Sequence, residues 1–184
     1  MGTAVGGLLA LIAAACSGDA TAPTQTTRTA PAATIDFDGA STHGTPFAIY
    51  REYGYLVMPY SGPWTVSTTY GRPAPFIQFL RAASEDTTTG EIRVSADGAR
   101  FRFSSIDLYS SITTIPYSFS GFLGSTMVFS FAGTVPNTFG NFATVTNPHA
   151  RDVIEGLVIR VTNPQCTLVN CQNPVGLDNI VVGF

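Results

Sequence analysis

From residue 34 to the end of the chain, apolar side chains recur at every second position in short runs, and clusters of Gly, Pro, Asn and Ser break the runs about every ten residues. In TIDFDG, Ile35 and Phe37 fall on one face and Asp36 and Asp38 on the other, which predicts a first strand ending at Gly39. The same reading places strands near 48–52, 55–58 and 64–70, separated by Gly54 and by the stretch from Pro59 to Pro63. Further strands fall at 75–81, 91–96, 117–122, 125–131, 142–146 and 157–162, and a last one in LDNIVVGF, where Ile180, Val182 and Phe184 share a face. The longest pattern is ARFRFSSIDLYSS. Phe101 and Phe103 alternate with Arg100 and Arg102, then Ile106 and Leu108 alternate with Asp107 and Tyr109, so the apolar face shifts by one residue at Ser104-Ser105, as a β-bulge requires. Asp97-Gly98 is a strong hairpin signal and predicts that 91–96 pairs with this central strand. Met127, Phe129 and Phe131 are expected on one inward face of the strand at 125–131, which pairs with 117–122.

No segment after Ala15 holds a 3.6-residue period for three turns, and no internal repeat is present. About ten short strands with this turn spacing predict an all-β antiparallel sandwich or barrel in one domain, 34–184. Before it lies SGDATAPTQTTRTAPAA (17–33), whose composition cannot bury enough surface to order itself and reads as a flexible linker. Fully extended, it would reach roughly 55 Å.

Residues 4–15, AVGGLLALIAAA, form an apolar run too short to span a bilayer and followed at once by polar sequence, the pattern of a secretory signal in 1–16. The ending AAAC resembles the lipobox of bacterial lipoproteins, which implies cleavage before Cys16 and a lipid anchor on its thiol as the one membrane attachment. Ala13 stands where that family usually has Leu, and MGTAVGG supplies no basic residues, so simple secretion stays open. The expected address is the outer membrane or cell surface as a lipoprotein, or the medium. The three cysteines divide into Cys16 and the pair Cys166 and Cys171 in NPQCTLVNCQNP, the arithmetic of one anchor and one disulfide. Closing so small a loop contributes about 2 kcal/mol on a chain-entropy account. A metal site at the pair is the rival, but neither His43 nor His149 lies near in sequence.

Charge narrows the function. Only 11% of residues are charged, the net charge is -3, and there is no lysine, so the chain lacks the basic surface that nucleic acid requires and cannot form a Schiff base or a P-loop. His43 and His149 sit in Gly/Pro turns without metal-ligand spacing, no GxSxG elbow occurs, and Glu52, Glu85, Glu91 and Glu155 show no paired-carboxylate motif. Binding without catalysis is the expectation. Five of the seven tyrosines and the single tryptophan lie between Tyr50 and Tyr70. Tyr50, Tyr53, Tyr55, Tyr60 and Trp64, interleaved with Arg51 and Glu52, offer flat rings for the C–H faces of pyranoses and polar groups for hydroxyls, which makes a glycan the expected partner. Aromatic residues also fill sandwich cores, and Trp64 shares its parity with Val66. The alternative is a lipid-anchored structural or adhesive envelope protein with no small ligand.

FDG in the first strand, FRFSSIDLYSS in the middle and GLDNIVV at the end together resemble the galactose-binding-like jelly rolls of bacterial carbohydrate-binding modules, across 34–184. The resemblance implies a jelly-roll sandwich whose first and last strands lie side by side. It also implies a structural calcium ion joining Asp38 to Asp178, with Asp36 as an accessory ligand; the plainer role for each Asp is to cap a strand end.

Overall fold

The structure, a computed structural model, describes residues 27–69, 74–80, 88–139, 141–164 and 174–184, together with Gly2. Twelve strands are formed among them: β1 (Ala33–Ile35), β2 (Tyr50–Glu52), β3 (Tyr55–Ser61), β4 (Trp64–Ser67), β5 (Phe76–Phe79), β6 (Thr88–Ser95), β7 (Arg102–Ser110), β8 (Ile115–Leu123), β9 (Thr126–Val135), β10 (Ala143–Thr146), β11 (Gly156–Asn163) and β12 (Val175–Gly183). They make two antiparallel sheets. One has the order β10-β7-β12-β5-β4 with β1 also paired to β12, and the other has the order β2-β3-β6-β11-β8-β9. The chain passes repeatedly from one sheet to the other, the connectivity of a jelly-roll sandwich. Cys16, Cys166 and Cys171, with the signal, lipid-anchor and disulfide expectations that rest on them, lie outside the described residues. Among the described residues, no helix is long and apolar enough to cross a membrane.

The inward faces of the two sheets meet in one core, where Phe101, Phe103, Ile106 and Leu108 are all fully buried. Alternation across Ser104-Ser105 cannot achieve this without an extra residue. Phe103 pairs with Val182 and Ser105 with Val181, so Ser104 is that residue and the bulge lies where the pattern shift predicts it. Asn147, buried, satisfies the exposed backbone there: its N–H donates to the Ser104 carbonyl at 2.8 Å and its Nδ2 to the Phe103 carbonyl at 2.7 Å.

β12 contains a matching irregularity. Asp178 pairs with Asp107, and the next registered pair is Val181 with Ser105, so β12 gains a residue at Asn179, whose φ is +47°. The two bulges offset each other, and Val175, Leu177, Ile180 and Val182 all stay in the core. β1 and β5 pair with the same edge of β12, at Ile180–Val182 and Val175–Leu177 respectively, leaving Asp178 and Asn179 between their ends.

Four features differ from the sequence reading. Asp97 and Gly98 both adopt positive φ and close a tight turn, with the Ala99 N–H donating to the Ala96 carbonyl, but β6 and β7 belong to different sheets. The turn is therefore a corner, and the buried Ala96 and Ala99 seat it in the core. Met127 is exposed because Gly121 pairs with Phe129 and Phe122 with Met127, so Val128 is an extra residue that rotates Met127 off the inward face. The first strand stops at Ile35, since Phe37 has a φ of +59°. Finally, residues 28–33, which composition assigned to the linker, lie on the sandwich: Thr29 bridges Arg100, Ala30 is buried, and the Pro31 carbonyl accepts from Tyr55.

On the outer side of the first sheet, Tyr109, Phe76 and Phe142 pack edge to face with centroids 5.1–5.4 Å apart. Tyr109 lies directly over Gly176, where an added methyl would overlap its ring. Gly176→Ala should cost about 1–3 kcal/mol in denaturant unfolding; an unchanged midpoint would show that this packing yields freely.

Candidate functional site

The five aromatic residues picked out by the sequence do not form one surface. Trp64 is 2% exposed, packs on Phe79 at 5.4 Å and donates its Nε1–H to the Ser61 carbonyl at 2.9 Å. Tyr55 is buried against Phe101, its hydroxyl donating to the Pro31 carbonyl at 2.7 Å, and burial pushes that hydroxyl up to about 12. Tyr50 packs on Phe37 and Phe47, and its hydroxyl accepts the Gly39 N–H at 3.1 Å. These three hold the fold together, and the rings of Tyr55 and Trp64 are closed to a ligand. Tyr53 is exposed on the turn between β2 and β3, with φ +49°, while Tyr60 is exposed at the opposite end of β3.

Tyr60 is the ring with site geometry. β3 skips a residue between Pro59 and Ser61 in its pairing with β6, so Tyr60 is the bulged position and its side chain is lifted out of the ladder. Tyr60 as a residue is 61% exposed, and the Arg93 guanidinium lies over its ring, 3.4 Å from the centroid. A guanidinium stacked so closely is attracted to the ring's negative face and fixes its orientation. The same ring lines a cleft of about 350 Å³ bounded by Pro46 and Phe47 on one side and by 59–64 on the other.

Behind Tyr60, on the outer face of the second sheet, stands a carboxylate that showed no paired motif in the sequence. Glu91 on β6 is 5% exposed, and each of its carboxylate oxygens is taken: Oε1 by Arg93 Nε–H at 2.8 Å and Oε2 by Arg160 Nε–H at 2.7 Å. Burial alone would raise its pKa, but the hydrogen bonds and charges of the two arginines outweigh it and hold the carboxyl below the usual range. The registers bring the three together, since Arg160 pairs with Glu91 across β11 and β6 and Arg93 follows Glu91 by two residues on the same face. The sequence signal was present in EIRVSA and LVIRV, where charged residues occupy the outward positions of otherwise apolar strands. That β6 and β11 are neighbours was not readable from it.

A second cluster, at the junction of β1 and β12, holds the residues predicted for calcium. Asp178 is 1% exposed, and neither carboxylate oxygen has a hydrogen-bond partner. Burial pushes its pKa up to about 8; the nearby N–H of Asn179 offsets part of this, and the charges of Asp107, Asp36 and Asp38 add to it. Asp107 is itself engaged by Thr144 Oγ1 at 2.6 Å and Asn179 Nδ2 at 2.9 Å. Asp36 accepts the Asp38 N–H at 3.1 Å, and Glu52 accepts the N–H groups of Asp36 and Phe37 at 3.1 and 3.2 Å, clamping the loop beside Asp178. Burial also raises the pKa of Glu52. A buried carboxylate with both oxygens unpartnered and other acids around it suits a hard cation. Among the described residues, no three His, Cys, Asp or Glu side chains converge at metal-binding distance, so an ion here would need backbone carbonyls or water to complete its shell.

No sequence-family profile and no curated protein matches the chain. Among solved structures it is similar to a mutant of the family 29 carbohydrate-binding module CBM29-2, with 11% identity and a TM-score of 0.45 over 84% of this chain and 92% of that one. It is also similar to Caldicellulosiruptor saccharolyticus CBM27-1 in complex with mannohexaose, with 15% identity and a TM-score of 0.42 over 82% and 95%. A third is TmCBM61 in complex with β-1,4-galactotriose, with 8% identity and a TM-score of 0.39 over 70% and 86%. At these values no residue of this chain is placed in correspondence with theirs. The class defined by the strands and registers is a jelly-roll β-sandwich.

Unfolded, Asp178 returns to about 3.9. The folded chain therefore binds its proton more tightly, a stabilisation complete below about pH 4 and lost as the pH rises through about 8. In cation-free buffer the melting temperature should fall between about pH 5 and pH 8, and Asp178→Asn should remove most of that slope. A slope unchanged in the variant would place the titration elsewhere.

Proposed function

We propose that this chain is a non-catalytic glycan-binding module, exported and tethered or secreted through the signal and Cys16 at its N-terminus. The observation that carries the reading is Tyr60, an exposed ring fixed by the Arg93 guanidinium and set in the wall of a cleft of about 350 Å³. A flat ring held in one orientation lowers the ordering cost of stacking on a pyranose face, and the arginines supply hydrogen-bond donors beside it. Tyr60 lies outside the core, so its removal leaves the fold intact. In affinity electrophoresis against a panel of polysaccharides, wild type should be retarded by at least one polymer and Tyr60→Ala should weaken that binding about tenfold. Silence of the well-folded wild type across the panel, or equal retardation of the variant, would remove the reading.

A structural calcium ion at Asp178, with Asp38 and Asp36 beside it, belongs to the same proposal. The support is the orphaned carboxylate, and the ion would supply positive charge beside Asp178, whose charged neighbours Asp107, Asp36 and Asp38 are all acidic. Calcium should raise the melting temperature at pH 7.5–8 (roughly the range where Asp178 ionises) and a chelator should reverse it; identical melts in both would leave the proton as the only partner of Asp178.

The alternative, an envelope protein that associates with its own copies, is favoured by one observation. β9 is a ten-residue edge strand carrying exposed Met127 and Val128 beside its turn. Concentration-dependent association abolished by Met127→Glu would support it, and a monomer at all concentrations would not.

A further inference from the structure

The donors and acceptors around Tyr60 are unequal in a way that selects a ligand. Glu91 holds the acceptors of the cluster, but it is almost wholly enclosed and each oxygen already receives an arginine Nε–H. The arginines are the exposed part, with side-chain exposures of 43% for Arg93 and 54% for Arg160 against 6% for Glu91. A guanidinium has five N–H donors and no acceptor, so after donating to Glu91 each arginine has four on its Nη groups, those of Arg93 shared with the hydroxyl of Tyr60. Two cations and one anion leave the group at +1, on a chain whose net charge is -3.

Among the described residues, the positions in register with the two arginines on this face add no compensating charge. In the register of Arg93 they are Met58, Val158 and Ser120, and in that of Arg160 they are Ser118 and Ala132. A neutral sugar hydroxyl both donates and accepts, and here it would meet an excess of donors, since the charged acceptor is buried and only hydroxyls such as those of Tyr60 and Ser118 are left to accept. A carboxylate only accepts, and its two oxygens match the paired N–H groups of a guanidinium. Because Glu91 orients both guanidinium planes before any ligand arrives, little ordering remains to oppose binding.

We propose that the ligand of this face is an acidic glycan, in which one sugar stacks on Tyr60 while a uronate carboxylate is held by the Nη groups of Arg93 and Arg160. This rests on the glycan-binding reading and narrows it to a chemical class. The probes are polygalacturonate and alginate, with galactan, mannan and fully methyl-esterified pectin as uncharged counterparts, run against the full chain in native affinity gels.

Retardation by a uronate polymer, lost on methyl esterification and weakened between about 20 mM and about 500 mM salt, is the expected result. Arg160→Gln should reduce it about tenfold, and Arg160→Lys, which keeps the charge but not the fork, should recover part of the loss. Should Arg160→Gln unfold because Glu91 loses a partner, the salt and esterification series on wild type decide the question. Binding of neutral polymers alone would overturn the acidic-ligand proposal and leave glycan binding standing. Binding of none would overturn both. Uronate binding indifferent to Arg160 would place the carboxylate elsewhere and overturn the assignment.

Discussion

The antiparallel ladder between β7 and β12 is the interaction on which the rest of the molecule depends. Each strand carries one extra residue, Ser104 in one and Asn179 in the other, and the two insertions cancel in register. Without the pair, half of each strand would turn its apolar set toward solvent, because side chains alternate strictly along a strand. With it, Phe101, Phe103, Ile106 and Leu108 face the same core as Val175, Leu177, Ile180 and Val182. β1, β5 and β10 are then added to the edges of this pair, and the second sheet closes over its inner face.

The same ladder creates the acidic junction. The bulge in β12 leaves Asp178 facing the side of the sheet that Asp107 occupies, while the ends of β1 and β5 stop on either side of it. An ionised carboxylate in that position, with neither oxygen in a well-formed hydrogen bond, is strongly disfavoured, and the rise of its pKa to about 8 is the direct expression of that cost. Proton and cation are alternative answers to the same electrostatic problem. The loop that approaches Asp178 is held by Glu52 rather than by continued strand pairing, which gives a carboxylate far from the surface site a purely architectural role.

On the second sheet the arrangement of charge has the opposite character. Glu91 is buried, but both its oxygens are satisfied, so burial there strengthens two hydrogen bonds rather than penalising an orphan. The consequence is a rigid pair of guanidinium groups beside a ring that one of them holds in place. Five aromatic residues close together in the chain thus divide by depth: Trp64 and Tyr55 fill the core, Tyr50 braces the loop after β1, and Tyr53 and Tyr60 stand at opposite ends of β3.

What the sequence determined by itself was local. The period-two alternation specified strands, the phase shift at Ser104-Ser105 specified a bulge, and the turn chemistry at Asp97-Gly98 specified a tight reversal, since each depends on residues adjacent in the chain. Pairing partners were decided only by the tertiary structure. Asp97-Gly98 became a corner between sheets, Met127 rotated outward at Val128, and residues 28–33 joined the fold because partners distant in sequence lay within reach. For the same reason Glu91 and Arg160, 69 residues apart, could not be read as a pair until β6 and β11 were neighbours. Alternation says which side of a strand a residue takes, but the identity of the strand beside it is set by burial of the whole apolar surface at once, a property no short stretch of sequence contains.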